Sequence, residues 1–188
     1  EHHNKQVGGP ERLARFLAAV FPPPRDLEGF VHLTQMVQAE AIKTGVLHWR
    51  CRMMETAGAL YWQLNDCWPV ASWSAADYRR RPKALWFYSR RFFAPVAVRA
   101  AELSDGVSAW LVNDSPSAVS GRLTLSAATF EGELMGSMDE DVTAPSGAVV
   151  RLGPVSREEL GIKDPSREFI TASFKARRGK PATDIAFL

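Results

Sequence analysis

Cysteine is almost missing from this chain: Cys51 and Cys67 are the only two in 188 residues. Without a paired Cys or His spacing they make neither a zinc site nor a disulfide framework, so each reads as a free buried thiol and the redox compartment stays open. Long apolar runs are missing as well. No stretch reaches the roughly 18 residues of a membrane-spanning helix, and no secretory leader is visible. Charge of one sign is not in surplus: 23 basic against 21 acidic residues give a net +2, too little for a nucleic-acid footprint. The densest basic run, Arg79-Arg80-Arg81-Pro82-Lys83, reads as the solvated start of a helix, since no second basic stripe accompanies it. There is no internal repeat and no low-complexity tract. The first residue is Glu1 and not Met, which reads as a processed product or an excised piece.

What is present is an ordinary globular composition, 46% hydrophobic and 23% charged, with six tryptophans. Three of the six crowd into Gly58–Trp73, GALYWQLNDCWPVASW, where the apolar run Ala59-Leu60-Tyr61-Trp62 passes directly into Asn65-Asp66. Indoles at 62, 68 and 73 beside an Asn-Asp pair suit a pocket whose ligand is part apolar and part hydroxylated. The plainer alternative is that these rings fill the junction between a strand and the next helix.

Around this stretch the periodicity is helical. Pro10 can open a helix that buries Leu13, Phe16, Leu17, Val20 and Phe21, stopped by Pro22-Pro23-Pro24. The preceding EHHNKQVGG reads as a loop, and His2 with His3 offers too few ligands for a metal. Asp26 suits the N-cap of a long amphipathic helix reaching Glu55, on which His48 reads as a packing residue. Residues 59–64 read as a buried strand, and Pro82 starts a helix that ends before Pro95. One buried strand without partners is costly, so its neighbours are expected in sequence outside this chain.

The period changes at Val96. Short strands are predicted over 96–103, 107–112, 122–128, 131–138, 148–152, 169–176 and 183–187. Turn signals such as Ser104-Asp105-Gly106 and Asn113-Asp114-Ser115-Pro116 separate them. Ser156 to Gly161 reads as one capped helical turn. Seven strands over some ninety residues suggest an antiparallel sandwich of immunoglobulin type, without the antibody Cys…Trp…Cys pattern.

The segment YWQLNDCWPVASW, preceded by TQMVQAEAIKT and followed by RPKALWFYSRRFFAPV, resembles glycoside hydrolase family two, most closely its β-mannosidase branch. EHH…GG at the N-terminus and DIAFL at the C-terminus are similar to segments of that branch. The resemblance implies a mixed fold: residues 1–95 as the α-rich C-terminal remnant of a (β/α)8 barrel with its eighth strand at 59–64, then an all-β immunoglobulin-like sandwich at 96–188. It places the sugar site at the strand's end. Trp62 would line the subsite of the terminal sugar, with Asn65, Asp66, Trp68 and Trp73 close by.

Retaining glycosidases use two carboxyl groups about 5 Å apart. In this family they follow an Asn and a Ser, and the chain contains no Asn-Glu and no Ser-Glu. The resemblance therefore implies no catalytic residue here, the acid/base and nucleophile lying upstream of Glu1. Its implied function is a retaining exo-β-mannosidase acting on terminal β-linked mannose, with no metal or organic cofactor, no nucleic acid and no membrane partner. The exo-β-glucosaminidases share the same motif neighbourhood. A carbohydrate-binding or structural sandwich module is the alternative of another class, and would need exposed aromatics on the sandwich. Trp110 and Phe130 are the candidates, although alternation within AWLV points Trp110 to the core.

Overall fold

Pro10 and Asp26 start the first two helices. In the computed structural model, which describes residues 2–188, α1 is Gly9–Ala18 with proline in its first turn. Only part of its expected face is covered: Leu17 is buried, while Leu13, Phe16 and Val20 are exposed. Asp26 Oδ1 accepts the Gly29 amide at 2.7 Å, satisfying one of the donors a helix start leaves unpaired. Helix α2, Leu27–Arg50, follows and stops short of the expected Glu55, giving way to turns over 51–55. Helix α3 is Ala84–Phe92; its first amide donates to Gln35 Oε1 of α2 at 3.0 Å, and it buries Leu85 and Phe92. The chain forms two compact units, one made of the stretch up to Val46 with Ala59–Phe92, the other of Leu47–Gly58 with Phe93–Leu188.

The expected α-rich barrel remnant is not what the chain forms. Among the described residues, seven strands in two antiparallel sheets outweigh three helices, and residues 59–64 are not a strand. A strand exists only through its ladder. Here the Gln63 and Leu64 carbonyls accept the Ala75 and Ala76 amides at 3.0 Å each, beside an isolated parallel bridge at Asn65–Ala76. Nor does it bury its apolar side chains, since Leu60 is 96% exposed. The segment from Thr56 to Lys83 is instead irregular chain pinned by side-chain bonds.

The sandwich follows the turn chemistry closely. Its strands are β1 (Val96–Leu103), β2 (Gly106–Asn113), β3 (Val119–Thr129), β4 (Leu134–Ala144), β5 (Ala148–Val155), β6 (Glu168–Ala176) and β7 (Ala182–Phe187). One sheet has the order β1-β2-β5 and the other β4-β3-β6-β7, so β4 hydrogen-bonds to β3 rather than joining the first sheet. The β1–β2 turn needs Gly106, whose φ of 126° lies where an L side chain is strained. Inward residues alternate along β3 and β6, so that Leu123, Leu125, Ile170 and Phe174 are fully buried together with Val107 and Leu111 from the other sheet. The turn after β5 is closed reciprocally: Glu159 N donates to Ser156 Oγ at 3.1 Å and Ser156 N to Glu159 Oε2 at 2.7 Å.

Alternation fails on β2, where every residue from Val107 to Asn113 is buried. Trp110 is covered on the side away from the core, with the guanidinium groups of its register neighbours Arg99 and Arg151 5.1 and 5.0 Å from its ring centroid. Phe130, in contrast, is exposed and stacks with Phe169 and Phe187 at 5.5 and 6.2 Å.

Candidate functional site

Asp66 is the centre of the irregular segment. Its carboxylate is 5% exposed and receives four donors: Gln63 Nε2 (3.3 Å) and Ser72 Oγ (2.5 Å) on Oδ1, Ser74 Oγ (2.5 Å) and Lys83 Nζ (3.1 Å) on Oδ2. Burial alone would raise this carboxyl, but the bonds from Ser72, Ser74 and Lys83, with the Lys83 charge, outweigh it and hold the group below the usual aspartate range. Asp66 is therefore a buried, ionised hub rather than a proton donor.

The backbone closes around it. Asp66 N donates to Ala76 O at 3.1 Å and Lys83 N to Ala75 O at 2.8 Å, which ties three stretches of chain together. Asp77 shapes the next turn, with Oδ1 accepting the Arg79 and Arg81 amides at 2.9 Å each. Arg80 sits inside that turn at φ 64°.

The tryptophans stand around the hub in different ways. Trp62 is 73% exposed and precedes Gln63 through a cis peptide bond. Trp73 is 39% exposed, between the two serines, and its carbonyl accepts Gln38 Nε2 at 2.8 Å. Trp68 is half-buried: His3 stacks on it at 5.8 Å, His2 meets it edge-on at 5.5 Å, and Lys5 Nζ lies 6.0 Å from its ring. The same N-terminal stretch is held by His3 Nδ1 and Pro69 O at 2.5 Å and by Ala71 N donating to His3 O at 2.7 Å. Asn65 is exposed and its amide donates to the Asp66 carbonyl at 3.2 Å.

The site residues named from the sequence thus occupy one segment, and among the described residues the three indoles make no ring contact with one another. Ser72, Ser74, Gln63 and Lys83 were not singled out from the sequence. Lys83 in particular is not part of a solvated basic run; its side chain is 15% exposed and paired with Asp66. The flanking of Trp73 by two serines was the one local signal available. Among the described residues no group of His, Cys, Asp and Glu is arranged to hold a metal ion, and no helix is long and apolar enough to cross a membrane.

Comparison with known proteins bears on the chain as a whole and most directly on the sandwich. Residues 105–188, which hold most of the sandwich, match the family model of the Mannosidase Ig/CBM-like domain. The resemblance to the C-terminal part of family-two β-mannosidases holds across the chain. Over 101 residues, 52% of the chain, it is 43% identical to β-mannosidase B of Aspergillus niger and 41% identical to β-mannosidase B of Emericella nidulans. The β-D-mannosidase of Dictyoglomus thermophilum superposes on 99% of the chain with a TM-score of 0.89 at 31% identity. The exo-chitosanase of Amycolatopsis orientalis, at 18% identity and a TM-score of 0.82 over the whole chain, shares the fold. The chain spans only 12% of the length of the Aspergillus enzyme and 23% of the Dictyoglomus enzyme.

Proposed function

We propose that this chain is the C-terminal portion of a retaining exo-β-mannosidase-like glycoside hydrolase, and that the full-length protein removes terminal β-linked mannose. In this reading Trp62, Asn65, Trp68 and Trp73 form one wall of the sugar pocket, with the buried Asp66 behind it. The observation that carries it is Trp62: a large indole left 73% exposed on a segment whose neighbouring backbone is fixed by a buried ionic hub. An exposed aromatic face is what stacking on the apolar face of a sugar requires. The likeness to the Dictyoglomus β-D-mannosidase over 99% of the chain supports the choice of sugar.

The chemistry of retention needs a nucleophile and an acid/base about 5 Å apart, with a covalent glycosyl-enzyme between two displacements. Asp66 is neither. Both its oxygens are occupied, and a nucleophile must present a free lone pair to the anomeric carbon. The two carboxylates are supplied by the rest of the full-length protein, while this chain binds and orients the sugar.

Initial rates of the full-length protein on 4-nitrophenyl β-D-mannopyranoside, beside the corresponding β-D-glucosaminide, test the reading. Hydrolysis of the mannoside with net retention is expected; preference for the glucosaminide would move the assignment to the exo-β-glucosaminidase relatives. A second reading, a carbohydrate-binding surface on the sandwich, is favoured by the exposed Phe130, which stacks with Phe169 and with the exposed Phe187. Retardation of the chain in a mannan-containing gel, lost in Phe130→Ala, is its test.

A further inference from the structure

Trp73 is held from both sides by a single carboxylate. Ser72 and Ser74, its chain neighbours, donate their hydroxyls to the two different oxygens of Asp66 at 2.5 Å each. The Ser74 amide closes back on Ser72 Oγ at 3.1 Å, and the Trp73 carbonyl is taken by Gln38. Three consecutive residues are thereby fixed, so the direction in which the indole leaves the backbone is fixed as well. Lys83 completes the arrangement: Nζ bonds Asp66 Oδ2 at 3.1 Å and Ser74 Oγ at 2.7 Å, so it braces the serine and the carboxylate together.

We infer that Asp66 is a positioning residue for Trp73, acting on the sugar through the indole and not by direct contact. This deepens the proposed function and rests on its placing Trp73 in the sugar pocket. An ionised carboxylate offers about four lone-pair sites, and Asp66 spends them on Gln63, Ser72, Ser74 and Lys83, so no acceptor is left for a sugar hydroxyl. Burial seals it further, at 5% exposure against 39% for Trp73. Binding groups on irregular chain reach useful precision only when a supporting layer locks them, and here that layer is one carboxylate with two serines and a lysine. Replacing Asp66 by Asn swaps one acceptor oxygen for an N–H₂ group facing donors, which frees one serine and leaves the Lys83 charge poorly matched.

The test is a double-mutant cycle in the full-length protein: Asp66→Asn, Trp73→Ala and the two together, with kcat and KM on 4-nitrophenyl β-D-mannopyranoside measured well below each variant's melting temperature. Each single variant should raise KM by about tenfold with a smaller change in kcat, and the double variant should do no more than Trp73→Ala alone, the signature of two residues acting as one unit. Effects that multiply in the double variant would overturn the inference, as would an Asp66→Asn protein that melts earlier but keeps its KM. Should Asp66→Asn fail to fold, Ser72→Ala enters the same cycle, since it deletes the Ser72 bonds to Asp66 and Ser74 and leaves the ion pair intact. A wild-type protein inactive on β-mannosides sinks the proposed function and this inference with it, whereas an active wild type with multiplying effects sinks the inference alone.

Discussion

Lys83 Nζ lies 3.1 Å from Asp66 Oδ2, an ion pair between residues seventeen apart in sequence, with both side chains largely withdrawn from water. Such a pair is expensive to form and more expensive to break, because removing one member strands the other's charge. Its bonds hold the Asp66 carboxyl below the ordinary aspartate range against the opposing effect of burial. A carboxyl depressed in the folded state stabilises the fold at pH above its unfolded value, about 3.9, and that stabilisation is lost as pH falls through the depressed folded value. Urea unfolding between pH 2 and pH 7 should show the loss in the wild type and a flatter profile in Asp66→Asn. Asp66→Ala should cost about 3–5 kcal/mol at neutral pH, as for other broken buried pairs. An unchanged pH profile in Asp66→Asn would show that the hub does not stabilise the fold.

In the sandwich, Asn113 is fully buried and ties two connections together. Its Nδ2 donates towards the Ser117, Ala144 and Pro145 carbonyls at 2.9–3.0 Å, and its Oδ1 accepts the Ser115 amide at 3.0 Å and the Ser115 hydroxyl at 2.5 Å. Asn113→Asp keeps the shape but replaces the donor with an oxygen facing three carbonyl oxygens. A loss of about 3 kcal/mol or more is expected, read as a lower denaturation midpoint at unchanged slope. A near-neutral result would mean that water or a shifted loop satisfies these carbonyls.

Arg80 adopts φ 64° on an exposed turn, a conformation glycine takes without the steric penalty of an L side chain. Arg80→Gly should therefore raise stability by about 1 kcal/mol, partly offset by the greater freedom of the unfolded chain. Arg80→Ala, which keeps the Cβ, should not. Thermal unfolding of both variants separates a backbone effect from the loss of charge in a basic run.

Cys51 and Cys67 should differ in reactivity. Burial pushes the Cys51 thiol up to about 11, against the pull of the nearby Arg99 and Arg50 charges, while Cys67 is exposed. Because the thiolate is the nucleophile, iodoacetamide at pH 8 should label Cys67 in the native protein and Cys51 only after unfolding. Peptide mass spectrometry gives the answer directly, and equal native labelling would contradict the placement of Cys51.

The catalytic reading makes one further demand on the 188-residue chain alone. It has no Asn-Glu or Ser-Glu dipeptide, and its one buried carboxylate at the candidate site is fully engaged. Release of nitrophenol from an aryl β-mannoside by this chain should not exceed that of a heat-treated control. Activity above it would place a carboxylate pair among residues not considered catalytic.

Much of the sandwich was legible in the sequence because its determinants are local. Gly106 after Ser104-Asp105 sets one hairpin, Ser156 and Glu159 cap each other three residues apart, and the alternation in β3 and β6 marks the buried face. Asp26 as a helix cap belongs to the same class. The tertiary structure alone decided the rest. The run at 59–64 has the apolar character of a strand, but no pattern within six residues says whether a ladder partner exists. Alternation within AWLV points Trp110 to the core, yet it lies outside the core cluster that holds Ala109 and Leu111 and is buried instead beside Arg99 and Arg151 from other strands. The candidate site is the clearest case: the sequence marked Trp62, Asp66 and Trp73 by residue type, yet the bonds that make Asp66 a hub join residues 63, 72, 74 and 83. Those contacts follow no helical or strand period, so only the folded chain could bring them to one carboxylate.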